Sequence, residues 1–469
     1  MPAELPADLV GHLAFHLGAQ RWYARAVAPP ADQVSIVAAE ELCPVPGSAR
    51  HLYDVQVLAE GDRYQLLVGE RPAGEPADFL TGRDSGMIQV TDRAFYYDAT
   101  LDPELCLRLL RVVTAGTQLA ARVRPISAEQ SNTSLVYDDR IILKLYRRLT
   151  AGTNPDVEVT NALARIGFPH VAKPYATWRR EGYDLAYAQQ FLAGGSEGWA
   201  LAQTSLRDFY RTESDDPMQA GGDFSIESRQ LGRVTGELHL AMREVWGADG
   251  DAPGRDWDRL VDEVEAGLAD AAAPPSPASG PEEAGDPTLA DGLDPERRRA
   301  VVDRLRAVRD PGALQRVHGD YHLGQVMRTD SGWYVLDFEG EPARDLSQRL
   351  RPTSPLKDVA GMLRSLDYAA RVALQERTAA PADADARADA WVRANRRAFL
   401  AGYLAVPDVP ELLAPVADRD LVLAGYELEK AIYELGYERA YRPGWVPVPA
   451  AAIARLVTEL AGSSHDRTE

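Results

Sequence analysis

Short β-type runs of apolar and polar positions mark the first hundred residues. VSIVAAEEL, LYDVQVLAE, RYQLLVGE and MIQVTD are each bounded by Gly, Pro or Asp, the pattern of a small antiparallel sheet. QRWYARAV stands between a first helix-like segment and these strands, and Trp22 and Tyr23 in it read as core residues. The period lengthens over 101–120, where helical apolar spacing follows Asp102 as a cap before Pro103. RPISAEQSNTSLVYDDRIILKLYRRL predicts two strands, SLVYD and RIILKLY, joined by a tight Asp-Asp turn. A helix is expected over 154–167 with Pro155 in its first turn, and a strand over 184–192. After Gly194-Gly195 the pattern becomes one of long amphipathic helices, including 225–246 and 256–270. Residues 271–293 carry too few large apolar side chains to pack and predict a flexible surface loop. A β-rich first part and a helical second part predict an α+β chain of two lobes with a cleft between them.

The chain has 469 residues, about three times a common domain size, so two or three packed units are expected. A net charge of −20 makes nucleic acid an unfavourable partner. No run of 18 apolar residues is present to span a membrane. The opening MPAELPADLVGHLAFH lacks the basic-then-apolar order of a signal peptide. Two cysteines, Cys43 and Cys106, are too few for a disulfide framework or a zinc cluster. The expectation is a cytoplasmic protein. Of 51 basic residues only Lys144, Lys173, Lys357 and Lys430 are lysines, which marks them as candidates for work a guanidinium cannot do.

Candidate chemistry concentrates in RVHGDYHLGQVMRTDSGWYVLDFEGEP (316–342). The first half leaves a strand, turns at Gly319 and presents His318, Asp320, His322 and Gln325 within eight residues. WYVLDFEGE then reads as a buried strand ending at Asp337, with Glu339 and Glu341 beyond. Two short β-segments whose ends bring Asp320 and Gln325 beside Asp337 make a hairpin-like acidic site able to hold a hydroxyl substrate and a divalent cation. Hard oxygen donors favour magnesium over zinc, and no HExxH is present. In RIILKLY, Lys144 alternates with apolar residues; it is either a buried lysine with a partner or an edge-strand lysine facing water.

HGDYHLGQ followed by LDFEGEP resembles the catalytic and metal loops of aminoglycoside-phosphotransferase-type kinases, and most closely those of the actinobacterial maltokinase family. EQSNTS, NPDVE, SPLKDVAGMLRSLDYAA and ELEKAIYELGYERAYRPGWVPVP match that family's pattern and order, so the likeness runs from QRWYA to the C-terminus. It departs where QRWYA continues as RAV and where the 271–293 loop is expanded. The resemblance implies a bilobal protein-kinase-like fold with an extra N-terminal cap: cap 1–100, β-rich nucleotide lobe 101–195, helical lobe 196–469. It makes Asp320 the catalytic carboxylate, Gln325 and Asp337 the magnesium ligands with Glu339 assisting, and Lys144 the nucleotide lysine paired with Glu158. Ser131, Asn132, Thr133 and Ser134 would cover the phosphates, and Gln190 to Leu192 would meet adenine.

The helix YELEKAIYELGYERAYRP places Glu427, Lys430, Glu434 and Glu438 at i, i+3/i+4 spacing beside a Tyr433, Tyr437, Tyr441 stripe. Read alone it is an ordinary helix with intrahelical ion pairs; with the resemblance it becomes the sugar surface, joined by Arg364, Asp367, His318 and His322. The implied reaction is ATP plus maltose giving maltose 1-phosphate and ADP with magnesium, feeding α-glucan and glycogen synthesis. The expected protein is a monomer that can associate with a trehalose-isomerising enzyme. A kinase for another sugar or amino sugar such as glucosamine is the alternative, favoured by an excess of acids in the sugar pocket; an inactive kinase-like binding module is the other.

Overall fold

The computed structural model describes residues 5–6, 8–23, 25, 27–44, 48–126, 131–212, 214, 216–219, 223–248, 253–273, 293–341, 344–375 and 383–462. The predicted loop 271–293 therefore lies almost wholly outside the described residues. Two compact units form, one from residues 1–164 with 172–193, the other from 165–171 with 194–469.

The first unit opens with α1 (Leu9–Gly18) and an antiparallel sheet ordered β1-β2-β3-β5-β4: β1 (Val34–Glu41), β2 (His51–Ala59), β3 (Asp62–Pro72), β4 (Met87–Val90) and β5 (Ala94–Asp98). After α2 (Pro103–Val113) a second antiparallel sheet runs β10-β11-β8-β7-β6, from β6 (Val123–Ile126), β7 (Asn132–Tyr137), β8 (Ile141–Tyr146), β10 (Pro174–Arg180) and β11 (Tyr183–Gln190). The short β9 (Arg148–Leu149) pairs with β3, and α3 (Pro155–Arg165) precedes β10. The predicted cap on α2 is present: Asp102 accepts from the Glu104 N–H at 2.9 Å. The Asp-Asp turn joins β7 to β8 with φ of 47° and 50° at Asp138 and Asp139, left-handed values that Asp tolerates better than most residues.

Strand β3 serves two cores. Tyr64, Leu66 and Val68 pack with Leu9, Leu13 and Leu17 of α1, while Leu67 joins Leu105 and Leu109 of α2. Alternate side chains of a strand point to opposite faces, and both faces are covered here, so RYQLLV shows no clean alternation. The same cause hid β5, whose five residues are all buried. Strand β10 opens on Pro174 and carries polar residues on an edge, so it gave no strand signal either.

The second unit holds β12 (Ser196–Glu197), β13 (Val326–Thr329) and β14 (Gly332–Val335) in one small sheet. Its helices are α4 (Gly198–Phe209), α5 (Ser225–Trp246), α6 (Pro253–Ala271), α7 (Pro295–Arg306), α8 (Leu346–Arg349), α9 (Leu356–Gln375), α10 (Ala384–Leu404), α11 (Val416–Tyr441) and α12 (Pro447–Gly462). Helix α9 is buried along most of its length. Helices α5 and α10 approach closely because glycines face each other's backbone. A Cβ on Gly402 would lie 2.0 Å from the Arg229 carbonyl oxygen, and one on Gly232 2.0 Å from that of Phe399. Gly402→Ala must push the helices apart and is expected to destabilise the unit by ~1–3 kcal/mol, read as a lower Tm in calorimetry with the secondary structure retained.

Candidate active site

A buried carboxylate shapes the loop that carries Asp320. Asp358, in the first turn of α9, accepts from the His318 N–H at 2.8 Å and the Gly319 N–H at 2.9 Å, and its Oδ2 lies 3.1 Å from His239 Nε2. Burial raises its pKa, but hydrogen bonds from His239 and the loop more than reverse this, so it sits below the ordinary carboxylate value. Gly319 has φ of 87°, which requires glycine. His318 Nε2 donates to the Leu336 carbonyl at 2.8 Å, leaving Nδ1 to accept from the Asp320 N–H at 3.4 Å. His318 thus ties the Asp320 loop to the segment before Asp337 and lies outside the cavity described below. The strand expected before this loop is reduced to an isolated bridge between Gln315 and Thr353.

Gln325 immediately precedes β13 and Asp337 closely follows β14; Val326 pairs with Val335, and Gln325 Nε2 donates to Asp337 Oδ2 at 3.3 Å. The hairpin read in the sequence is the structure's means of joining these residues. Asp337 has φ of 60°, a conformation sparsely populated outside Gly, Asn and Asp. Glu339 is half-buried, and its carbonyl accepts from Arg349. Among the described residues no group of three or more His, Cys, Asp or Glu side chains is arranged to hold a metal ion.

Asp320 opens into a cavity of about 440 Å3. Its Oδ1 lies 3.0 Å from Lys430 Nζ and its Oδ2 3.8 Å from His322 Nε2. Burial lowers the His322 pKa, and its Nδ1 accepts from the Gly324 N–H. Glu434 and Tyr437 of α11 also line the cavity. An aromatic wall adds Trp199, Tyr368 and Trp445; Tyr368 and Trp445 stack with centroids 5.8 Å apart. Sequence reading missed these three, since they come from α4, α9 and the turn after α11 and share no local pattern. It also missed Glu197 and Arg442.

The cavity's charges are nearly all matched. Asp320 pairs with Lys430, Glu434 with Arg364 at 2.6 Å, and Glu438 with Arg442 at 2.7 Å. The Glu197 side chain has no hydrogen bond or ion pair among the described residues; it lines the cavity while staying solvent-exposed, and partial desolvation raises its pKa. Besides His318, three predicted sugar residues stand elsewhere. Glu427 is buried on a bidentate pair with Arg396 at 2.6 and 2.8 Å, Arg364 is fully buried between Asp367 and Glu434, and Asp367 accepts from Arg364 and Arg455.

In the first unit Lys144 sits on β8, the middle strand of its sheet, between Ser134 and Tyr187. The edge-strand alternative is thereby excluded. Its amine lies 3.7 Å from Asp156 on the first turn of α3, two residues before Glu158, the partner expected from the resemblance. Asn132 to Ser134 begin β7, with Thr133 accepting from Arg147 Nε at 2.8 Å, and Ser131 precedes them. Glu129 and Gln130 lie outside the described residues. The Phe191 N–H, in the predicted adenine segment, donates to the Arg140 carbonyl at 2.8 Å.

The profile of the phosphotransferase enzyme family matches residues 122–404, more than half of the chain. The chain belongs to this family. As a phosphotransferase it has the family's kinase-like α+β fold. It is 28% identical over 357 residues to a glucosamine kinase of Mycolicibacterium smegmatis, covering 73% of this chain and 82% of the relative. A glucosamine kinase of Streptacidiphilus jiangxiensis is 29% identical over 352 residues, covering 72% and 74%. A solved glucosamine kinase superposes with a TM-score of 0.65 at 22% identity over 97% of this chain and 98% of its own. No helix among the described residues is long and apolar enough to cross a membrane.

Arg364, Arg455 and Arg371 hold Asp367 down at about 2 against the burial that raises it, below its ordinary 3.8. A depressed carboxylate stabilises the fold above the unfolded-state pKa and loses that contribution as pH falls through the folded value. Tm is therefore expected to fall between about pH 4 and 2, and Asp367→Asn, less stable at neutral pH, should show a shallower decline in a Tm-versus-pH series.

Proposed function

We propose that this phosphotransferase is an ATP-dependent sugar kinase whose acceptor is a small amino sugar such as glucosamine. Glu197 carries the reading. Among the described residues it is the cavity carboxylate left without a cationic partner, and because it is solvent-exposed an ammonium group on the acceptor can pair with it without displacing another cation. The glucosamine kinases among the relatives point the same way.

Asp320 orients the acceptor hydroxyl and takes its proton, while Lys144, braced by Asp156, and the Ser131 to Ser134 segment hold ATP phosphates. Gln325 and Asp337, assisted by Glu339, offer the hard oxygens that magnesium prefers. That donor set is sparse, which suits an ion that keeps several waters and phosphate oxygens. Magnesium supplies charge neutralisation on the phosphates when bound.

Maltose, expected from the sequence motifs, is the second reading, and the aromatic wall of Trp199, Tyr368, Tyr437 and Trp445 favours it. Such rings suit the apolar faces of a disaccharide. The product would then be maltose 1-phosphate, with a trehalose-isomerising enzyme as a fitting partner. ATP turnover against glucosamine, maltose, glucose and trehalose separates the readings. The amino-sugar reading expects glucosamine to exceed maltose in kcat/KM, and Glu197→Gln to erode that preference by ~10-fold, the scale of one charged hydrogen bond. Equal or better use of maltose overturns it, and inertness toward all four sugars overturns the sugar-kinase reading.

A further inference from the structure

Lys430 lies in the cavity wall, where its sequence position had suggested a sugar contact, yet its ammonium is already engaged on every side. It donates to Asp320 Oδ1 at 3.0 Å and to Glu341 Oε1 at 2.7 Å, and stands 4.6 Å from the centroid of the Tyr433 ring. An ammonium has three donors, and two carboxylates with an aromatic face account for them without a substrate. Glu341 is itself 1% exposed and is held by Arg344 at 2.6 Å and Lys357 at 3.7 Å. The helix that carries Lys430 is pinned on both sides of it. Glu427, three residues before, is clamped by Arg396 of α10, and Glu434, four residues after, by Arg364 of α9. Residues at those spacings share a face with Lys430, so the two clamps fix the rotation of α11 about its axis.

We infer that Lys430 is a positioning residue: anchored by Glu341, it holds the Asp320 carboxylate in the orientation that meets the acceptor hydroxyl. This rests on Asp320 being the catalytic carboxylate. A compact ammonium fits between two carboxylates where a planar guanidinium would displace one, so the chain keeps a rare lysine there. Glu427 and Arg364, expected as sugar ligands, act at one remove by setting the helix that presents Lys430.

The test is a double-mutant cycle on the full chain with Lys430→Met, Asp320→Asn and the combination, measuring kcat and KM for sugar and ATP. Lys430→Met is expected to lower kcat by ~100-fold, the scale of a small misplacement of a reacting group, with KM for ATP within about threefold. In the Asp320→Asn background the same change should cost less than about threefold, because coupled residues are non-additive. Lys430→Arg keeps the charge, should fall between, and serves for the cycle if Lys430→Met does not fold. An unchanged kcat with a raised KM for sugar would make Lys430 a sugar ligand and overturn the inference. Equal losses in both backgrounds would overturn it too. Full turnover by Asp320→Asn would instead remove the catalytic role of Asp320.

Discussion

Asp358 takes two backbone N–H groups of the turn that bears Asp320, and it does so out of contact with water. An ionised carboxylate in that position is tolerable only with its hydrogen bonds made, so the turn and helix α9 are obliged to stay together. Gly361 allows this at close range: a Cβ there would lie 2.6 Å from the Tyr321 carbonyl oxygen. His318 extends the same brace to the segment ahead of Asp337. Each site loop in this unit is thus referred back to one buried helix, and the reactive side chains inherit its rigidity.

Charge pairing is the second organising theme. Three of the four lysines face buried or nearly buried acids: Lys144 with Asp156, Lys357 with Glu341, and Lys430 with Asp320 and Glu341. Burial pushes the Lys430 amine down, and the two carboxylates more than offset this and hold it above the ordinary lysine value. Glu341 is drawn down to about 2 by Lys430, Lys357 and Arg344 against its burial. Arginine also serves buried pairs, as in Arg364 with Asp367 and Glu434, and Arg344 joins the two lysines on Glu341.

What the sequence made legible is what the chain keeps contiguous. Gln325 and Asp337 are read from one stretch because a single hairpin joins them, and Asp320 stands on the loop just before it. Lys144 is read from an apolar strand interrupted by one charge. Its amine lies 3.7 Å from Asp156, and Asp156 and Glu158 both stand in the first turn of α3. Trp199, Tyr368 and Trp445 were illegible, since each is a plausible core residue in its own element and only tertiary packing gathers them. Glu427 shares the spacing of Glu434 and Lys430 yet turns to Arg396, a difference that spacing alone does not carry.

Strand β3 carries one further consequence. Its odd and even positions are assigned to different cores, so its register is read twice, once by α1 and once by α2. Loss or gain of a single residue within it would send the contents of each core into the other. The length of this segment is therefore constrained in a way that the length of its neighbouring turns is not, so insertions and deletions fit at its ends and not along it.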